Sequence, residues 1–420
     1  MNIFSSQTSI FNSLIFIIFL FLFIFGLTTP IGSIARILVA ITIFYAFINY
    51  KKYLANFPKE IFLLFLFLFA DLSVCLLVPT FLHTYDYTII PTKINFIASI
   101  LATFFIALYL SKKLSINDFI KLILNIFSIQ IILIIIMLLN PSIADFITSY
   151  TRTGEHSSRI MENYAGARGL GIADSSVFGL AIVMGLFLLI TFYSYTEKFI
   201  TFKKFLFLLI LGSVASISAG RTAILGLIFG LVYLFLNMKN TRSIYMLLLT
   251  IVTIGSGVLF LINIDQNSIK NPTLNYFYSY SMEPIINYKN TGSLSSGSTD
   301  VLQNMYFPLT ELQHLIGDGK YTDGDHYYKE TDAGYMRFSL FYGSIFSFIF
   351  YAYFLFFLFK VSLKSKGYAI LIFCFALLTL ILHYKGEVIL FAISYNKLLF
   401  LIVFFIYLKS KKNKECYIND

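Results

Sequence analysis

The stretch DGDHYYKETDAGYMRFSLFYGSIF, residues 323–346, runs from a dense cluster of ionisable groups straight into an apolar helical segment. The solvent around its second half decides the fold. Downstream the apolar run continues through SFIFYAYFLFFLF to residue 359. A helix of that length crosses a hydrocarbon core of about 30 Å. Similar runs recur along almost all of the 420 residues, which are 58% hydrophobic, 18% aromatic and 12% charged. A soluble domain carries roughly twice that charged fraction. The runs lack the alternation of barrel strands, so helices are the spanning elements. The expectation is an all-α polytopic membrane protein, a single integral membrane domain over residues 1–420.

Working outward, twelve spans are expected at 10–27, 30–50, 60–79, 94–110, 119–139, 170–193, 203–219, 221–237, 244–263, 334–359, 368–383 and 388–408. Basic residues orient them. One set of short loops holds Lys51, Lys52, Lys59, Lys112, Lys113, Lys121, Lys198, Lys203, Lys204, Lys239, Arg242, Lys360, Lys364 and Lys366. The tail adds Lys409, Lys411, Lys412 and Lys414, bringing the set to 18 of the 31 basic residues. All fall on one side when both termini are cytoplasmic. The net charge of +10 is therefore a topology signal rather than a nucleic-acid footprint. The N-terminus lacks a basic n-region and a small-x-small cleavage site, which predicts a retained first helix. Cys75, Cys374 and Cys416 show no metal-site spacing and no disulfide framework.

Two polar segments emerge on the outer side, 140–169 and 264–333, the larger lying between spans 9 and 10. The second, rich in Asn, Ser, Gly and Tyr, reads as a cap or lid. Arginines on this side run against the positive-inside bias. Arg36, Arg152 and Arg159 fit the structural reading of snorkelling or helix-end contacts. Arg221 sits in a Ser-Ala-Gly turn whose small neighbours let a ligand approach, and Arg168 lies between Gly166 and Gly169. Arg337 is one turn into the tenth span. A planar guanidinium grips phosphate bidentately, so several on one aqueous lip suit a pyrophosphate.

In the opening stretch, Asp332 is placed to cap the helix that follows. It is equally placed, with His326, to act as a base beside the arginines. Asp323 and Asp325 resemble a metal pair but read as a solvated loop, and no metal is expected. Tyr327, Tyr328 and Tyr335 suit either sugar stacking or an interfacial belt. Asp71 lies mid-span, Lys397 in the last helix and Glu387 at the outer face. An intramembrane Asp is a functional candidate facing a partner that the sequence does not name.

Three patterns then carry a resemblance. They are ARGLGIADSSVFGLA at 167–181, SISAGRTAILGLIFG at 216–230 and DAGYMRFSLFYGSIF at 332–346. Together with the layout, they resemble the Wzy-type O-antigen and polysaccharide polymerases, relatives of the O-antigen ligases. Ligases place a histidine where this chain has Asp332, so the acidic form favours the polymerase. Arg168 and Gly179 match an Arg-x10-Gly spacing of some polymerases.

The resemblance implies a GT-C-type glycosyltransferase of the bacterial inner membrane, working at its periplasmic face without cofactor or metal. Donor and acceptor would be glycans on undecaprenyl pyrophosphate, and a chain-length regulator protein is a family expectation. Arg168, Arg221 and Arg337 would bind the donor pyrophosphate, Tyr335 would contact sugar, and Asp332 or His326 would be the base. The alternatives are an O-antigen ligase and a lipid-linked oligosaccharide flippase. Transporters usually show symmetric halves with mid-membrane sites, whereas the polar residues here gather in asymmetric outer segments.

Overall fold

A computed structural model describes residues 7–29, 32–51, 57–152 and 157–418. In chain order the helices begin with α1 (Gln7–Phe25), α2 (Ile34–Ile48), α3 (Lys59–Phe81), α4 (Ile90–Lys113), α5 (Ile116–Leu139) and α6 (Pro141–Thr151). Next come α7 (Val177–Thr196), α8 (Phe202–Ala219), α9 (Ile224–Leu236), α10 (Thr241–Ile262) and α11 (Pro272–Thr291). The rest are α12 (Gly297–Asn304), α13 (Glu311–Leu315), α14 (Gly334–Tyr342), α15 (Ser344–Lys364), α16 (Ala369–Lys385) and α17 (Ile393–Ile418). Two short antiparallel strand pairs follow, β1 (Thr28–Thr29) with β2 (Gly32–Ser33), and the hairpin of β3 (Thr322–Asp323) with β4 (His326–Tyr327).

Among the described residues nine helices are long and apolar enough to cross a membrane, and three shorter apolar ones cover Leu14–Phe25, Ile34–Ile48 and Arg221–Leu236. The protein is all-α with polytopic membrane character. Its chain divides into two compact units, Met1–Val39 with Lys113–Ile286, and Ala40–Lys112 with Asn287–Asp420.

In the first unit α7 is the central element. It packs on α5, α8 and α9, and nearly every residue from Leu180 to Thr196 is buried. A helix apolar on all sides has no polar face to turn outward, so it takes the middle. Backbones meet where α7 crosses α9: a Cβ on Gly226 would lie 1.9 Å from the Gly185 carbonyl oxygen. α10 is peripheral. Its Tyr245, Leu248, Val252 and Phe260 are each more than half exposed, an apolar face suited to lipid.

The expected span at 170–193 starts later, at Val177. Gly169 and Gly171 adopt φ of +80° and +118°, outside helical space, and the Ser176 side chain caps the helix by accepting from the Gly179 N–H at 3.2 Å. The segment 140–169 is not all loop, since it holds α6 and a π-turn at Arg159–Asn163.

In the second unit α17 is buried along residues 398–407, and α15 packs on α3, α14, α16 and α17. The expected span 334–359 is broken. Gly343 takes φ +83°, and a Cβ there would lie 2.6 Å from the Leu315 carbonyl oxygen, so the chain must turn at a residue without a side chain. The spanning helix is therefore α15, with α14 a separate short helix. The last span starts at Ile393 rather than 388, because the His383 ring takes the N–H groups of Val388 (2.9 Å) and Ile389 (3.2 Å) and holds them non-helical. Within 264–333 the chain forms α11, α12, α13 and the β3–β4 hairpin.

Candidate functional site

In the first unit, two of the three motif segments are stitched together. The Ser218 hydroxyl donates to the Ala167 carbonyl at 2.8 Å, and the Gly169 N–H donates to the Ser218 carbonyl at 2.6 Å. Arg168 and Arg221 are thereby brought to one place. The Tyr280 ring of α11 serves both, its centroid 5.0 Å from the Arg168 guanidinium carbon and 4.3 Å from that of Arg221. Tyr164 covers Arg168 from 4.5 Å. Such contacts contribute about 0.5–1 kcal/mol each through the ring face and use none of the guanidinium N–H groups.

Arg221 is further engaged. Its backbone N–H donates to the Tyr280 hydroxyl (3.0 Å), and its Nη1 donates to the Tyr280 carbonyl (3.1 Å) and to Glu283 Oε2 (2.5 Å). Arg168 meets aromatic faces, and its Nε is buried with no acceptor among the described residues. Tyr276 stacks on Tyr280 at 6.3 Å, and burial raises its phenol pKa despite the nearby Arg168 and Arg221.

Arg152 behaves as a structural arginine. Only 5% exposed, it donates to the carbonyls of Gly169 (2.8 Å) and Ser175 (3.0 Å), fixing the loop that carries Arg168. Burial lowers its pKa to about 10, with Asp174 opposing the shift.

In the second unit Arg337 lies in α14 and is 5% exposed. Its Nη1 pairs with Glu387 Oε2 at 3.0 Å, and its Nη2 donates to the Tyr321 carbonyl at 3.2 Å. Rings of Tyr321 and Tyr327 lie 3.8 and 4.2 Å from the guanidinium carbon. Arg337, expected to help bind the donor pyrophosphate, thus meets a carboxylate. Glu387 also accepts from the Tyr321 hydroxyl at 2.7 Å. Burial pushes its carboxyl pKa up, against the pull of Arg337 and Tyr321.

The hairpin above this pair is fastened by Asp86, whose Oδ2 accepts from the N–H groups of Tyr321 (2.6 Å) and Thr322 (2.8 Å). Burial alone would raise the Asp86 pKa. The Thr88 hydroxyl and the N–H groups of Thr322, Tyr321 and Thr88 outweigh it and hold the pKa down. His326 and Asp325 are exposed on this hairpin, and Asp323 pairs with Lys320 at 2.9 Å.

Asp332 does not cap α14. The helix begins after Ala333 with no side-chain cap, and the Thr331 hydroxyl takes the Ala333 N–H instead at 3.3 Å. The Asp332 side chain is exposed, yet desolvation by the surrounding protein raises its carboxyl pKa, opposed by Arg337 and Lys385. Tyr335 turns inward. Its hydroxyl donates to the Leu380 carbonyl at 2.8 Å, and its ring packs edge-on to Tyr351 and His383.

Within the same unit Asp71 finds its partner in Lys93, at 2.8 Å, with both side chains almost fully buried. The Tyr342 hydroxyl donates to Asp71 at 2.9 Å and lies 3.1 Å from the Cys75 sulfur. Lys93 escaped the sequence reading because the expected span began one residue after it. An intramembrane Lys in PTKINFIASI facing an intramembrane Asp in LFADLSV was the available signal. Tyr280 and Glu283 were masked by the tyrosine-rich composition of 264–333, although Tyr276 and Tyr280 stand at helical i,i+4 spacing.

No family model, curated protein or solved structure matches this chain.

Proposed function

We propose that the protein is a membrane glycosyltransferase joining lipid-pyrophosphate-linked oligosaccharide repeat units into a polysaccharide, with the Wzy-type polymerases as its likeness. In this reading the chain has twelve spans, nine long and three short, both termini are cytoplasmic, and the reaction occurs at the outer face of a bacterial inner membrane. The observation that carries it is the pairing of Arg168 and Arg221 on one tyrosine, two guanidinium groups fixed by the stitched segments at 167–169 and 218. Such a pair suits the two phosphates of a polyprenyl pyrophosphate.

The chemistry is a displacement at the donor's anomeric carbon. An acceptor hydroxyl oxygen forms the new glycosidic bond, the bond to pyrophosphate oxygen breaks, and undecaprenyl pyrophosphate leaves. The arginines stabilise the leaving charge. The hydroxyl proton goes to a carboxylate, for which Asp332 is assigned ahead of His326. The raised Asp332 pKa makes the ionised form a better proton acceptor than an ordinary carboxylate. Arg337, neutralised by Glu387, is assigned to hold the Tyr321–Tyr327 hairpin.

The test is a gel of surface polysaccharide from a deletion strain complemented with wild type or with Arg221→Ala. A ladder with wild type and a single repeat unit with the variant is expected. Long chains left on undecaprenyl pyrophosphate in the deletion strain would make the protein a ligase. Arg221→Lys should also fail, since a point charge does not reproduce the bidentate fork.

A further inference from the structure

We propose that Glu283 is a built-in occupant of the Arg168–Arg221 site, holding with its carboxylate the place that a phosphoryl oxygen takes when a pyrophosphate binds. Helix α11 is then a lid that must release Arg221 before the site fills. This rests on the reading of the two arginines as a pyrophosphate site.

The argument starts from what Arg221 touches. Its Nη1 is engaged twice by α11, by Glu283 Oε2 at 2.5 Å and by the Tyr280 carbonyl at 3.1 Å. A carboxylate on a guanidinium presents the same charge and acceptor geometry as one edge of a phosphate, so the two ligands compete for the same N–H groups. The pair is exchangeable because it is not sealed in. The Glu283 side chain is 32% exposed and that of Arg221 13%, where a fully buried pair would resist separation.

The helix is also lightly anchored. Of its residues, Thr273, Tyr280 and Met282 are the buried ones, and Pro284 interrupts its hydrogen-bond ladder just after Glu283. Few buried apolar contacts mark a segment that opens ahead of the fold as a whole. Arg168 meets the same lid at the Tyr280 ring, with Tyr276 nearby, and its buried Nε has no acceptor among the described residues. A diphosphate bridging both arginines therefore gains contacts that Glu283 does not make, which is what drives the exchange. Apparent affinity is the intrinsic affinity scaled by the open fraction, so weakening the lid tightens binding.

The test uses purified full-length protein in detergent and inorganic pyrophosphate as the probe, titrated by calorimetry. Glu283→Gln keeps size and helix but removes the competing charge. It should bind pyrophosphate on the order of tenfold more tightly than wild type, the scale of one charge-assisted hydrogen bond. Arg221→Ala should abolish the gain in the double variant. The chain contains no tryptophan, so Tyr276→Trp places a single reporter on the lid. Its emission should shift on adding pyrophosphate and already be shifted in the Glu283→Gln background. Unchanged or weaker binding by Glu283→Gln, or a reporter indifferent to pyrophosphate, overturns the lid. The polymerase reading fails separately, through the polysaccharide ladder, which this titration does not use.

Discussion

Removing Lys93 should damage the second unit more than removing its partner Asp71. The ammonium lies 2.8 Å from the carboxylate, and the side chains are 2% and 3% exposed. Breaking a buried pair from one side costs about 3–5 kcal/mol, because an uncompensated charge remains. The two sides are unequal here. Lys93 Nζ lies 4.8–5.6 Å from the ring centroids of Phe338, Tyr342, Phe350 and Phe391. With Asp71→Asn the ammonium keeps those rings, each contributing about 0.5–2 kcal/mol when desolvated, so the loss should fall to roughly 2–3 kcal/mol. With Lys93→Met the carboxylate keeps the Tyr342 hydroxyl but has no cation left to offset its charge, and the loss should reach the full ~3–5 kcal/mol.

The double variant leaves no net charge behind and should be more stable than Lys93→Met alone. The cycle should therefore give a coupling energy larger than the Asp71→Asn loss, about 3 kcal/mol. Reversible unfolding of the purified protein by SDS in mixed micelles reads these differences. Losses that add to within ~0.5 kcal/mol, or an Asp71→Asn variant weaker than Lys93→Met, would refute the argument.

Gly226→Ala should disrupt the α7–α9 crossing, costing about 1–3 kcal/mol or more in the same unfolding assay. Gly255→Ala, with open space around it, should be neutral or gain up to ~1 kcal/mol. If Asp332 is the base, polymer formation in membranes should rise with pH as its carboxyl ionises, above the ordinary aspartate value of about 3.9. Asp332→Asn should remove that limb, and an unchanged profile would move the role elsewhere. Asp86 has a lowered pKa, so its contribution is full above about 3.9 and disappears as pH falls through the lower folded value. Hydrogen exchange of the Tyr321 and Thr322 amides should accelerate over that acid range in wild type, and at neutral pH in Asp86→Asn.

The apolar runs were legible because a bilayer demands length and composition together, and the nine long apolar helices among the described residues overlap nine of them. Helix starts were less legible where polar side chains redirect the backbone. Gly169, Gly171 and Ser176 delay α7, Gly343 splits the tenth run, and His383 holds 388–389 out of α17. Composition is insensitive to such local bonds. The arginines were found as exceptions to the charge bias, but what each one touches depends on residues up to 62 positions away, as for Arg221 and Glu283. That information lies in packing, and the abundance of tyrosines concealed which of them mattered.

Contact partners separate arginines that the sequence treats alike. Arg152 spends both of its Nη groups on backbone carbonyls, so its job is to shape a loop. Arg337 faces a buried carboxylate, and removing either member would leave a charge in low dielectric. Arg168 and Arg221 have ring contacts as Arg337 does but differ in their carboxylate: Glu283, which pairs with Arg221, is part-exposed where Glu387 is buried. Aromatic faces stabilise a cation without neutralising it. On the proposed reading, two guanidinium groups share one part-exposed carboxylate, and that gives a dianion reason to bind there rather than at Arg152 or Arg337.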